Sequence, residues 1–343
     1  MADIDKIVRE SVKKLVPYSC ARDEFQGRKG IFLDANENPY GELNRYPDPY
    51  QKELKIAVSK IKGISEENIF LGNGSDEIID LCFRTFCNPG SDCALTFYPS
   101  YGMFEVSAAI NTVRLIKVPL TDDFSIDPGS IKELLMAPDL RLILICSPNN
   151  PTGNSMKRSD VEYIISNFSG IVLVDEAYID FSEQESFRLL TAKYNNLIVM
   201  QTFSKAFGLA AARIGMAIAD RAIINYLNKM KPPYNISSLN QKAVLKSLGR
   251  INLFKKRIHK IKTERERLII DLKKLNIIEK VFPSDANFIL VKTRNADEIY
   301  ARLINSKIVV RNRSRIVPGC LRITVGKKSE NNRLLKALSR INL

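Results

Sequence analysis

Thr202-Phe203-Ser204-Lys205-Ala206-Phe207-Gly208-Leu209-Ala210-Ala211-Ala212-Arg213-Ile214-Gly215 is the stretch that decides the fold of this chain. It lies between two apolar runs, Leu197-Ile198-Val199-Met200 and Ile214-Gly215-Met216-Ala217-Ile218-Ala219, each short enough to be a buried strand. Lys205 therefore sits just past a strand end. A lysine held there among aromatic and small residues is poorly solvated, which disfavours its ammonium and makes the nucleophilic amine accessible near neutral pH. A Schiff-base lysine needs that property, although a strand-end lysine can equally be a solvated loop residue. Arg213 interrupts an otherwise apolar sequence, and a guanidinium at a strand start suits a phosphate.

Two upstream stretches repeat the pattern. Leu142-Ile143-Leu144-Ile145-Cys146-Ser147 reads as a buried strand running into the turn Pro148-Asn149-Asn150-Pro151-Thr152-Gly153. Ile171-Val172-Leu173-Val174 reads as another, closed by Asp175-Glu176-Ala177-Tyr178. Three strands thus end in Asn149, Asp175 and Lys205, and in open parallel sheets ligands lie outside the carboxyl ends of the strands. Phe70-Leu71-Gly72-Asn73-Gly74-Ser75-Asp76-Glu77 is a strand end, a glycine turn and a helix start. The free backbone donors of such a start form an anion site, with Gly74 permitting close approach, while Ser75 also suits an ordinary N-cap. No Gly-Lys-Ser/Thr follows, so this is not a P-loop.

Size and composition bound the alternatives. A chain of 343 residues exceeds the size at which one core usually keeps growing, so two domains are expected. The apolar runs are too short for a membrane span and Met1 to Lys6 carries no secretory apolar region, so the expectation is a cytoplasmic protein with no membrane partner. The six cysteines include no C-x-x-C pair and are expected as reduced thiols. A single histidine, His259, rules out His-based triads and multi-His metal sites, so no metal is expected. The net charge of +14 raises nucleic acid as a partner. Its densest region, Lys255 to Arg267, carries apolar residues at helical spacing (Phe254, Ile258, Ile261, Leu268), so the charges are read as the solvated face of an amphipathic helix, with no nucleic acid bound.

The stretches Ser147 to Gly153 (SPNNPTG), Asp175 to Tyr178 (DEAY) and Ser204 to Arg213 (SKAFGLAAAR) resemble the fold type I pyridoxal-phosphate aminotransferases, and among these the histidinol-phosphate aminotransferase group. Leu33 to Gly41, Arg45-Tyr46-Pro47, Gly74 to Glu77, Pro99 to Met103 and Leu321 to Gly326 extend the resemblance in order along nearly the whole chain. It implies an α/β fold: a large domain with a mostly parallel sheet flanked by helices (31–231), a smaller α+β domain (232–343), and an N-terminal arm (1–30) that packs with the small domain. Pyridoxal 5'-phosphate is the implied cofactor. Lys205 would bind it covalently, Asp175 would face its pyridine nitrogen, and Asn149 and Tyr178 would bond its phenolate oxygen. Tyr101 would lie on the ring. Ser204, Arg213 and the Gly74-Ser75-Asp76 turn would hold the phosphate, with Tyr46 arriving from the other subunit of a homodimer. Tyr18, Asn36, Arg311 and Arg322 would contact substrate, with Arg313 and Arg315 close by in sequence.

The implied reaction exchanges an amino group between histidinol phosphate and 2-oxoglutarate in histidine biosynthesis. An aromatic amino acid aminotransferase and a threonine-phosphate decarboxylase share the same site pattern, and a nonenzymatic nucleic-acid-binding protein is the distant alternative. One departure concerns the substrate mouth, where only Glu42-Leu43-Asn44 separate Gly41 from Arg45. Smaller elements expected are one arm helix from Ile4 to Leu15, helices from Tyr50 to Ile61 and Asp127 to Met136, and strands at Ile31-Phe32-Leu33 and Ile308-Val309-Val310.

Overall fold

The computed structural model describes residues 3–20 and 30–341. Seven strands, β1 (Ile69–Asn73), β2 (Cys93–Tyr98), β3 (Arg114–Pro119), β4 (Leu140–Cys146), β5 (Ile171–Asp175), β6 (Leu197–Thr202) and β7 (Ile214–Ile218), form one sheet in the order β1-β7-β6-β5-β4-β2-β3. Pairs from β3 to β6 are parallel, whereas β7 runs against both neighbours, β1 and β6. The unbroken apolar runs follow from burial on both faces. Leu142, Leu144 and Cys146 of β4 face a cluster with Ile79, Phe83 and Phe86 of the helix Ser75–Phe86, while Ile143 and Ile145 face Val161, Ile164 and Ile165 of the helix Arg158–Asn167.

Four further strands, β8 (Ile278–Val281), β9 (Phe288–Thr293), β10 (Arg311–Asn312) and β11 (Cys320–Thr324), make a second, antiparallel sheet ordered β10-β11-β9-β8. Its core takes Leu268 and Leu272 from the helix Ile251–Leu272, Ile299 and Leu303 from Ala296–Asn305, and Leu334 and Leu338 from Lys328–Leu338. A third cluster joins the two sheets, with Leu71, Ile214 and Met216 packed beside Val244, Phe254 and Phe288.

Several expectations change on contact with the structure. The arm is two short helices, Ile4–Ile7 and Glu10–Lys14, broken where Val8 and Arg9 turn extended. Its two helices pack on those of the large sheet, where Ile4, Ile7, Val8 and Val12 join Ile78, Phe83, Ile223 and Leu227 and Lys229 Nζ donates to Lys13 O at 2.7 Å, while Cys20 further along the arm lies 3.1 Å from the Tyr234 hydroxyl. Its apolar stripe matches the outer faces of those helices. Asp127 to Met136 forms two 3-10 turns, with Gly129 inside the first. Residues 31–33 and 308–310 form no strand, and pairing begins only at Arg311. Arg265, read as part of a solvated face, is buried, and its Nη1 donates to Phe181 O at 3.2 Å and Ala286 O at 3.0 Å. The guanidinium so ties a loop of the large sheet to the approach of β9. Elsewhere in the basic run Lys255 to Arg257, His259 and Lys260 are exposed, while Lys262 and Arg267 are half buried.

All six cysteines are buried. Among the described residues, no helix is long and apolar enough to cross a membrane, and no group of His, Cys, Asp and Glu is placed to hold a metal ion.

Candidate functional site

The strand directions assemble one edge. β1, β2, β4, β5 and β6 deliver their carboxyl ends there, and the reversed β7 delivers its start, so Arg213 comes to the same cavity as Ser75, Tyr101, Asp175, Tyr178, Ser204 and Lys205. Two glycines make the approach possible. A Cβ on Gly215, paired with Gly72 across β1 and β7, would lie 2.7 Å from Ser75 N. A Cβ on Gly74, whose φ is 78°, would lie 2.5 Å from Arg213 Nη2. Arg213 itself adopts a left-handed φ of 49°, a strain that fixes where its side chain leaves the hairpin.

Charges in this cavity balance in pairs. Arg213 Nη2 meets Asp76 Oδ2 at 3.4 Å, and the Tyr101 hydroxyl donates to Asp76 Oδ1 at 3.1 Å. Asp175 is buried at the end of β5 and accepts from Ala177 N at 2.9 Å. Burial pushes its carboxyl up to about 7 against that hydrogen bond, with Asp76 raising it further and Lys205 opposing. Lys205 is shifted the other way. Burial lowers its ammonium, Arg322 and Arg213 add to the effect, and Asp175 works against it. Its Nζ lies 5.9 Å from the centre of the Tyr178 ring. Tyr178 is buried edge-on to Phe288 at 5.1 Å, and burial raises its phenol.

One residue of the turn after β4 must be reassigned. Asn149 is fully buried and points away from the cavity: its Nδ2 donates to Pro99 O at 2.9 Å and Thr152 Oγ1 at 2.8 Å, and its Oδ1 accepts from Ser100 Oγ at 3.1 Å. Asn150 lines the cavity instead. Its Nδ2 donates to the Tyr178 hydroxyl at 3.4 Å, and its Oδ1 accepts from Arg322 Nη1. The two asparagines are adjacent letters on opposite sides of the turn, and nothing in the residue types separates them. Cys146 and Thr202 also line the cavity without having been singled out.

Arg322, in β11, reaches this group from the second sheet with its guanidinium 5.1 Å from the Phe288 ring. Arg311 pairs directly opposite it in β10 and is exposed. Tyr46, Tyr18 and Asn36 are not brought to the Lys205 cavity within one chain. Tyr46 is half exposed and stacks on Tyr234 at 4.4 Å, held by Glu37, which accepts from Tyr46 N at 2.6 Å and from Arg45 Nη1 at 2.7 Å. Asn36 lies beside the same Glu37 clip, and Tyr18 lines a separate cleft with Tyr50 and Lys231. Ala21 and Arg22, which follow Pro17-Tyr18 in the stretch whose resemblance points to Tyr18, lie outside the described residues.

The cavity fits pyridoxal phosphate on its own chemistry. The turn at Gly74-Ser75, Ser204 and Arg213 offer donors to a phosphate, Lys205 offers an amine to an aldehyde, and a buried carboxyl beside them suits a cationic ring nitrogen.

A family model described as aminotransferase class I and II matches residues 29–338. Histidinol-phosphate aminotransferases of Cytophaga hutchinsonii and Bacteroides thetaiotaomicron are each 49% identical, the first over 98% of both chains and the second over 99% of both. The crystal structure of the histidinol-phosphate aminotransferase from Clostridium acetobutylicum is similar at a TM-score of 0.80 and 26% identity, covering 87% of this chain and 90% of that one.

Proposed function

This chain belongs to the class I and II aminotransferase family, and from that premise we propose that it transfers an amino group between L-histidinol phosphate and 2-oxoglutarate, giving imidazole acetol phosphate and glutamate, as a cytoplasmic step of histidine biosynthesis. The observation that carries the reading is the convergence of three groups. A desolvated lysine and a buried carboxyl share one cavity, and a guanidinium reaches it from the second sheet through Asn150.

Bound pyridoxal phosphate supplies an aldehyde for the substrate amine and a ring that draws electrons from the carbon bearing it. The protein's own groups do the rest. Asp175 would hold a proton on the ring nitrogen, because a carboxylate buried there would be compensated by the cation it faces. Asn150 and Tyr178 would orient the ring oxygen, Tyr101 would cover the ring, and Ser75, Ser204 and Arg213 would keep the phosphate. Lys205, whose lowered pKa leaves amine available, would take the proton from the substrate carbon bearing the amine and deliver it to the carbon that was the cofactor's aldehyde. Arg322 holds the anionic end of the substrate.

Purified holoenzyme mixed with single donors tests the substrate, with the absorbance of the bound cofactor as readout. Histidinol phosphate should convert it fastest. Faster conversion by phenylalanine would make it an aromatic amino acid aminotransferase, and carbon dioxide released from threonine phosphate would make it a decarboxylase.

The working unit in this reading is a homodimer with Tyr46 acting in the partner's site. The 30–46 segment exposes Ile31 (92%), Leu33 (90%) and Tyr40 (83%), apolar surface that a second copy would cover. Hybrid dimers of Tyr46→Ala and Lys205→Ala chains should regain up to half of wild-type activity per dimer, because one site then carries both defects and the other neither. Hybrids no better than their parents would place Tyr46 in its own chain's site.

A further inference from the structure

We propose that Arg313 is a third guanidinium of the substrate site, one that reads the phosphate of the amine substrate and does little for the carboxylates of glutamate. This deepens the function proposed above and rests on it. The argument begins with strand parity. Arg311 pairs with Arg322 and Asn312 with Leu321, and Arg313 N continues the ladder by donating to Cys320 O at 2.9 Å. Arg311 and Arg313 therefore share a face, and Arg322 stands opposite the first and diagonal to the second. Arg313 O also accepts from Ile316 N and Val317 N, both at 2.8 Å, so its backbone is fixed.

Three like charges on one small face repel, and like charges placed opposite across a ladder are destabilising. Arg313 is half buried; burial disfavours its charge, Arg322 and Arg311 add to the effect, and among the described residues the Tyr178 phenol alone favours it. Among the described residues, no carboxylate is one of the charged groups acting on Arg313 or Arg322. The Nε atoms of Arg313 and Arg322 are buried and find no hydrogen-bond partner among the described residues. Buried guanidinium donors without acceptors are costly to the protein alone and are satisfied by an anion rich in oxygens. Arg315, by contrast, is exposed.

Substrate chemistry selects the phosphate. An amino acid carries its carboxylate directly on the carbon that bears the amine, within reach of Arg322. In histidinol phosphate a methylene and an ester oxygen intervene, so the anionic group lies two atoms further out along the face. It also carries a charge of about −1.5 to −2 near pH 7, against −1 for a carboxylate. The extra reach and the extra charge both call for a cation beyond Arg322.

The test is Arg313→Gln in the holoenzyme, with KM and kcat measured for each half-reaction and inorganic phosphate titrated as a competitor of glutamate. KM for histidinol phosphate should rise roughly ten- to a hundredfold, the loss of a charge-assisted bond. KM for glutamate should stay within about threefold, kcat for both should hold, and inhibition by phosphate should weaken alongside. Arg313→Lys, which keeps the charge and loses the fork, should fall between. Equal losses for the two donors, or an unchanged phosphate inhibition, would overturn the assignment while leaving the transaminase reading intact. A wild type active with glutamate and inert towards histidinol phosphate would overturn both.

Discussion

The two faces that meet at this site treat charge in opposite ways. At the edge of the large sheet cations and anions alternate, with Arg213 against Asp76 and Lys205 opposed by Asp175. On the small sheet Arg311, Arg313 and Arg322 gather, and no carboxylate among the described residues acts on Arg313 or Arg322. The first arrangement suits a resident cofactor, which must be held through every turnover and needs its phosphate, ring and aldehyde addressed separately. The second suits a visiting anion, whose arrival relieves repulsion and whose departure restores it. A balanced site is built to keep its ligand, and an unbalanced one to exchange it.

Lys205→Ala is the harshest way to break the balanced side. Turnover should fall by about a thousandfold or more, since proton transfer at the substrate carbon alone is worth roughly 10²–10⁴. Borohydride reduction of the wild type should leave the cofactor on Lys205 and on no other lysine, and a label elsewhere on the chain would overturn the assignment.

The pair Asn149 and Asn150 sharpens the comparison, because only one of them faces the cavity. Asn150→Ala should cut turnover while leaving thermal stability close to wild type. Asn149→Ala should cost about 1–3 kcal/mol of stability, since it removes the buried amide's bonds to the half-buried Pro99 O and to Thr152 Oγ1, and should leave the cofactor spectrum unchanged. Melting curves and spectra of the two variants decide it. Reversed phenotypes would restore Asn149 to the cavity.

A further effect lies in the pH dependence of the cofactor-stripped protein. Asp175 titrates near 7 in the folded chain against a usual 3.8. Between these values the native state keeps a proton that the unfolded chain has released, so this group's contribution to stability is full below about pH 4 and is lost as pH rises through 7. Asp175→Asn should remove that slope. Unfolding measured at pH 5 and pH 8 should show wild type losing ground to the variant at the higher pH, and parallel behaviour would mean that the carboxyl is ionised throughout.

Much of the large-sheet side is legible in the letters. β4, β5 and β6 are unbroken apolar runs because both faces are covered, and each run ends in a polar residue, so strand ends and site residues announce each other. What failed there was parity within a turn: proline and glycine mark where the chain bends, and they do not say which of two neighbouring asparagines faces inward. The small-sheet side is harder to read. β10 has two residues, too few for any period to show, and Ile308 to Val310 imitates a strand beside it. The burial of Arg265 was equally hidden, because its acceptors are carbonyls of Phe181 and Ala286, which no side-chain pattern reveals. Contacts to backbone from distant segments exist only once the tertiary structure has formed.

The reversal of β7 has a consequence for inheritance. In a wholly parallel sheet Lys205 and Arg213 would stand at opposite edges, a strand length of roughly 17 Å apart, and a ligand spanning amine to phosphate would need residues from distant parts of the chain. Turning one strand around puts both anchors on a single hairpin closed by the pairing of Thr202 with Gly215. The two anchors therefore travel as one cassette: any recombination whose breakpoints fall outside that hairpin passes on the amine, the guanidinium and the spacing between them together, and only an event inside it can separate them.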